Sequence, residues 1–567
     1  MLAALFAVVV ATSPASSGET VSNYVEAYFE TFPSRATEAG RHDFDNRLED
    51  LSRLRLDRWI SLNRKTVARL SSALASDSLS LDDRLDAELT LRHAQWELHE
   101  HAVRHRPERD PLFWTGVAGN ATVFLLVRND RPLTERLSAA LDRMGQIPRL
   151  ARQAQEALSS TSPAFLSPEL CRIAASQARA SARFAREGFG ALFSGEEKAR
   201  ASTAADAAAR ALDRLALFLE TLAGRASGSP RLGNDYAEAF RIATSENDRP
   251  SSVAEQAVVA LGDKRREAAD YGRSVWNEIF PGEEAPAEGK ALLSRLFTAV
   301  AADRAKDTEE FVADYKKQVS DLDAFLHAHE VVSLPDPLTL TTDRSPAFFV
   351  GQSVGGVYPA GPYAPDAQTL WFLPTPSDSA TAKERDGFFR DFNHHFNVMI
   401  TPHEILPGHY LQLKVAAHQP RKFRALFPDG VYVEGWGTFC ERITLDSGWG
   451  GPLDRLAHLK KQMENIARTI VDIRVHTSQM PRPEVIRFVK EEALQDDQFA
   501  SNMWTRAITS PTQMTTYYLG YRQIFRLYEE MKAARGPRFR LKDFMDRMLS
   551  LGPVPVSHYR ELLLSDR

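Results

Sequence analysis

Between positions 19 and 328 apolar residues recur every three or four places in a background rich in Ala, Leu, Arg and Glu. That period turns one face of a helix toward a core, and it is clearest over 81–102 and 204–223, whose interiors lack proline. The arginines of this region read as solvated helix faces. The pattern breaks over 331–376, where Pro, Gly, Thr and Tyr crowd together. Within it, 338–342 alternates apolar and polar, and 369–373 is a short apolar run ending at Pro374, so both predict strands. From 383 the helical period returns. The expected fold is mainly α with a small β-sheet or hairpin insertion. Its main boundary lies near 330, between a helical N-terminal region (18–330) and a region at 331–567 that carries the sheet. The strand at 370–373 is expected at an edge, where an extended peptide can pair with it.

A ten-residue apolar run at 2–11, followed by small residues as far as Ser17, is too short to cross a bilayer and lacks a basic stretch before it. It predicts a signal peptide over 1–17 and a periplasmic or secreted protein. No other stretch nears ~18 uninterrupted apolar residues, so no membrane partner is expected for the mature chain.

Composition narrows the function. The chain has 567 residues and a formal net charge of −5. With no basic stripe to bind phosphates, a nucleic-acid partner is not expected. Hydrophobic residues at 43% and charged residues at 26% exclude a disordered chain. Two cysteines, Cys171 and Cys440, far apart in sequence, allow neither a disulfide framework nor a CxxC metal site. A metal, if held, must use histidines and carboxylates.

Five of the 15 histidines (His394, His395, His403, His409 and His418) cluster in one short stretch, whose centre reads His403-Glu404-Ile405-Leu406-Pro407-Gly408-His409. A His-Glu pair with a second His downstream is how zinc peptidases place two imidazoles on the metal and a carboxylate on its water. The usual spacing is four, and six residues on an ideal helix would turn His409 about 120° away from His403. The helix must therefore break, and Pro407 and Gly408 supply the break. A third ligand is expected from Glu434, in the following Glu434-Gly435-Trp436-Gly437 stretch, whose glycines would leave room for metal and substrate. Glu441, two turns further along the same face, either orients a metal-bound histidine or pairs with Arg442.

These residues resemble the family of bacterial, often exported proteins catalogued as domain of unknown function 885, which share an HExxPGH helix and an EGW helix and are similar to helical zinc peptidases of the gluzincin type. Gln412, Asp472 to His476 (DIRVH), Arg506, Pro511, Gln513, Tyr517 and Gly520 fit its other conserved segments, and the match covers most of 331–564. The sequence departs from the family at Gly437, usually Ala, and Thr512, usually Gly. The resemblance implies a large helical metallopeptidase-like fold with a deep cleft. It also implies one Zn²⁺ per chain on His403, His409 and Glu434, with Glu404 as general base. Tyr517, and after it His476, would stabilise the oxyanion, with Tyr518 and Tyr521 as neighbours easily mistaken for Tyr517. Arg506 and Arg522 offer guanidinium forks for a substrate carboxylate.

The expected function is an exported zinc metallopeptidase acting on peptides. The alternatives are a catalytically decayed metal-binding protein and a zinc hydrolase of non-peptide amides or esters. Ligand chemistry favours zinc over Mn²⁺ or Co²⁺. His99-Glu100-His101 with His105 reads as a charged helix face, and His327 with His329 lacks a spaced third ligand.

Overall fold

The computed structural model describes residues 16–76, 79–346, 356–377 and 379–565. The apolar run at 2–11 lies outside them. The protein is mainly α with one small sheet. Among the described residues no helix is long and apolar enough to cross a membrane.

The N-terminal part contains α1 (Ser17–Thr31), α2 (Leu81–Leu98), α3 (Pro168–Arg183), α4 (Gly195–Arg225), α5 (Pro250–Ile279) and α6 (Thr308–Ala328). Helix α2 starts where the Ser80 hydroxyl accepts from the Asp83 amide, with Asp82 and Asp83 in its first turn, and it runs on through a π-helical turn at His99–Val103. Alanines along one face of α4 (Ala201, Ala205, Ala208, Ala209) are buried in one cluster with Cys171, Ala174 and Ala175 of α3. Small side chains there let the two backbones pack closely.

Strands β1 (Leu340–Arg344), β2 (Gly356–Tyr358) and β3 (Thr369–Leu373) form a sheet in the order β1-β3-β2. β1 pairs parallel to β3 from Leu340↔Thr369, and β2 pairs antiparallel to it from Gly356↔Phe372. The sheet corrects the sequence in two places. β1 begins two residues late, because the Thr339 amide donates to the Tyr410 hydroxyl (3.0 Å) rather than to a neighbouring strand. β3 is wholly buried and central, with both edges taken, so 370–373 has no free edge to offer a peptide.

The remaining helices that matter here are α7 (His394–Glu404), α8 (His409–His418), α9 (Gly430–Asp446), α10 (Pro452–Thr477), α11 (Asp497–Thr509) and α12 (Thr516–Arg535). One core joins residues from both sides of position 330: Tyr24 and Phe29 of α1 share it with Phe311, Trp371, Tyr410, Trp436 and Tyr559. A second link is the Arg92–Asp429 ion pair, half-buried on the arginine side, which ties α2 to the residue capping α9. Helix α10 is buried nearly throughout. Its face toward α5 is apolar (Met463, Ile466, Ile470), while a stripe at three- and four-residue spacing (His458, Lys461, Asn465, Arg468, Asp472, His476) is polar and also buried.

Candidate metal centre

Helix α7 ends at Glu404 and α8 begins at His409, with Ile405–Gly408 as the turn. Gly408 is required there: a Cβ at that position would lie 1.9 Å from the His403 carbonyl oxygen. The Trp436 indole N–H of α9 donates to the Pro407 carbonyl (2.9 Å) and clamps the turn to the next helix. His409 is thereby swung back beside His403, with ring centroids 4.7 Å apart and planes at 82°.

Glu434 completes the group. Its Oε2 lies 3.7 Å from His403 Nε2 and 3.6 Å from His409 Nε2, and one ligand atom from each residue falls within 4.8 Å of the others. Bonds of about 2.0–2.1 Å to a tetrahedral ion put neighbouring ligand atoms about 3.3 Å apart, so the two carboxylate–imidazole distances need shorten by only a few tenths of an ångström to seat zinc. The donor set, two imidazoles and a carboxylate, suits that ion.

Behind this trio the imidazole of His403 is held by Glu441. A carboxylate only accepts, so His403 Nδ1–H donates to Glu441 Oε1 (2.8 Å) and its Nε2 is left facing Glu434, where a bound ion would take the place of the Nε2 proton. His458 Nδ1–H donates to the other oxygen of Glu441 (3.3 Å). Glu441 is fully buried; burial pushes its carboxyl up, but the two histidines outweigh burial and hold it at about 2. Burial likewise opposes ionisation of Glu434, which His403 and His409 nonetheless hold far below the usual carboxylate range. His403, disfavoured as a cation by burial, is raised to about 10 by Glu434 and Glu441. Arg442 pairs with Asp446 and Glu267, so of its two expected roles Glu441 takes the orienting one.

Glu404 follows His403 directly and is half-buried, and no hydrogen bond or ion pair to another described residue holds its carboxylate. Tyr517 is the tyrosine of its group that faces the trio. Its ring lies nearly parallel to that of His403 at 6.3 Å, and its hydroxyl accepts from Gln513 Nε2 and Arg506 Nη2, each at 3.2 Å. Gln513 Nε2 also reaches Glu434 Oε1 (3.4 Å). Burial and the nearby Glu434 charge raise the phenol's pKa. Tyr518 packs under Arg522, and Tyr521 stacks on Phe525. Tyr517 meets Glu434 because α9 and α12 cross at Gly435 and Gly520, where a Cβ on Gly520 would sit 1.9 Å from the Val431 carbonyl oxygen. The space expected beside Gly435 and Gly437 for metal and substrate is therefore filled, by Gly520 and by the His403 ring.

Two expected site residues are elsewhere. His476 Nδ1 accepts from the Leu232 amide (3.0 Å), its Nε2–H donates to the Ala507 carbonyl (2.9 Å), and its ring stacks on Tyr236, which leaves no donor for an oxyanion. Arg522 pairs with Glu246 and Gln256 on another surface. The histidines at 99 and 101 are also not a solvated face: they are buried, with His101 against Glu97 and Glu100 against Arg104 and Arg106.

The structure adds Arg468, which the sequence reading missed, and gives a role to Asp472, which that reading named only as the start of a family segment. Arg468 lies over the Tyr517 ring (4.7 Å to the centroid). Asp472 accepts from the Thr512 and Met514 amides (3.0 and 3.3 Å) and from the Tyr236 hydroxyl (2.7 Å), fixing the loop that presents Gln513. Thr512 sits there at φ 73°, a strained conformation for a β-branched residue. The signal for both was the polar stripe of α10, which recurs at three- and four-residue spacing along the helix.

A family model described as "Bacterial protein of unknown function (DUF885)" matches residues 33–563. Two solved structures share the fold along nearly the whole chain. One, a "putative lipoprotein of unknown function" from Shewanella oneidensis, is 25% identical, with 97% of this chain and 100% of that one covered and a TM-score of 0.77. The other, a "putative lipoprotein" from Colwellia psychrerythraea, is 17% identical, with 97% and 98% covered and a TM-score of 0.77. No curated protein matches the chain.

Proposed function

The chain belongs to the DUF885 family of bacterial proteins of unknown function, and from that membership and the geometry of the centre we infer that it is an exported, zinc-dependent hydrolase of peptide bonds. The observation that carries this is the convergence of His403, His409 and Glu434 from three helices, with the free carboxylate of Glu404 next to a ligand. Zinc bound there would supply a Lewis acid that polarises the scissile carbonyl and lowers the pKa of a water toward ~7. Glu404 takes a proton from the attacking water as its oxygen adds to the carbonyl carbon, and passes it to the departing amine when the C–N bond breaks. The Tyr517 hydroxyl, positioned by Gln513 and Arg506, donates to the developing oxyanion. Glu441, by holding Nδ1, would keep His403 Nε2 directed at the ion.

Export is supported by the apolar run at 2–11 and by the lipoprotein description of both similar structures. A purely structural ion would have no use for Glu404, which favours catalysis over simple metal binding. The test is Glu404→Gln: zinc content stays at that of the wild type, while turnover of a peptide library falls about 10²–10⁴-fold. Full activity in that variant would remove the proposed base.

A further inference from the structure

Three buried or half-buried cations gather on the Tyr517 side of the centre. Lys461 and Arg468 on α10 share one carboxylate, Glu464, at 3.1 and 2.5 Å. Arg506 on α11 makes no ion pair with a described residue. It commits Nη2 to Gln513 (2.7 Å) and Tyr517, leaving Nε and Nη1 without protein partners among the described residues. Of the carboxylates near it, Glu464 is shared with Lys461 and Arg468, Glu434 faces His403 and His409, and Asp472 is taken by Tyr236 and two backbone amides. Buried donors add to the surplus: Asn465 Nδ2 and Gln462 Nε2 have no partner among the described residues, and both side chains are almost wholly enclosed.

A cation held out of water with only shared opposite charges is costly, and here it lies one ring away from a metal ligand. Arg468 and Arg506 approach the same Tyr517 ring, at 4.7 and 5.7 Å from its centroid, and that ring packs on His403. The missing component is an acceptor carrying negative charge, and the guanidinium fork matches a carboxylate. We propose that this cluster receives the free carboxylate at the C-terminal end of a peptide, with Arg506 as the principal contact and Arg468 beside it, so that the enzyme releases short C-terminal pieces. This rests on the hydrolytic reading above and names its substrate class.

The test uses the zinc-loaded Glu404→Gln protein, which holds peptides without cutting them, and three N-acetylated, fluorescently labelled peptides. One ends in a free acid, one is the same sequence amidated, and one is amidated with a Glu near its end. The free acid is expected to bind about tenfold or more tightly than either amide, and the advantage to vanish on adding Arg506→Gln. Equal binding of acid and amide overturns the proposal, as does a Glu-bearing amide that matches the acid, which would assign the pocket to an acidic side chain. The acid and amide comparison needs no arginine variant, so misfolding of that variant cannot protect the idea. Hydrolysis by the wild type separates the two levels. Cleavage of acid and amide at equal rates keeps the hydrolase and removes the end-carboxylate pocket; cleavage of neither, with the acid still bound selectively, removes the hydrolase and keeps the pocket.

Discussion

Two imidazoles meet one carboxylate at Glu441, and the ligand geometry depends on that meeting. Replacing Glu441 with Gln keeps the shape but removes the charge that directs the His403 lone pair. Zinc affinity is expected to fall 10–100-fold with little loss of secondary structure, measurable by competition with a chelating dye; an unchanged affinity would contradict the orienting role. His476 makes a different prediction. Burial lowers its pKa to about 4 from an ordinary 6.5, and its Nδ1 must stay unprotonated to accept from Leu232. The unfolded chain takes up this proton near pH 6.5, the folded chain only near pH 4. The stability contributed by the group is therefore complete above about pH 6.5 and is lost as the pH falls toward 4. Urea midpoints at pH 7 and pH 5 are expected to differ more in the wild type than in His476→Gln, and equal differences would refute it. The sequence marked His403, His409, Glu434 and Tyr517 for the site, and the structure gathers all four, because each sits beside a residue of unusual backbone chemistry or in a short motif. It misplaced His476 and Arg522, whose partners Leu232, Ala507 and Glu246 are brought in from distant segments that local spacing does not reveal.

Helices α9 and α12 set the site by how closely they cross. Gly435 against Gly520 leaves no room for a methyl group, and Glu434 and Tyr517 stand on the two flanks of that contact. Gly520→Ala forces the helices apart. It is expected to cost about 3 kcal/mol of stability by urea unfolding and to reduce bound zinc, since Glu434 moves with α9. A variant as stable and as zinc-rich as the wild type would show that the crossing is not what positions them. The break between α7 and α8 was readable from Pro407 and Gly408, because a six-residue spacing cannot keep two histidines on one helical face. The sheet was only partly readable. Two of its strands carried an apolar or alternating pattern, while Gly356–Tyr358 is too short to show one, and its pairing on β3 turned an expected edge into the centre.

Across the whole molecule, the metal trio rests on a core that draws on α1 and on the C-terminal end of the chain alike, with Arg92 bonded to the cap of the helix that carries Glu434. The composition pointed to a large helical protein without showing this shared core, because contacts between residues hundreds of positions apart leave no periodic trace. It likewise left unseen that the polar face of α10 points inward, where one helix supplies the support for Glu441, the Tyr517 cations and the Gln513 loop. The centre depends on these parts converging to hold one ion. Zinc stoichiometry by elemental mass spectrometry, on the purified wild type and on the His403→Ala, His409→Ala double variant, tests it most directly. About one zinc per wild-type chain and none in the double variant are expected. A wild type that takes up no zinc on reconstitution, or a double variant that still holds its ion, would contradict it.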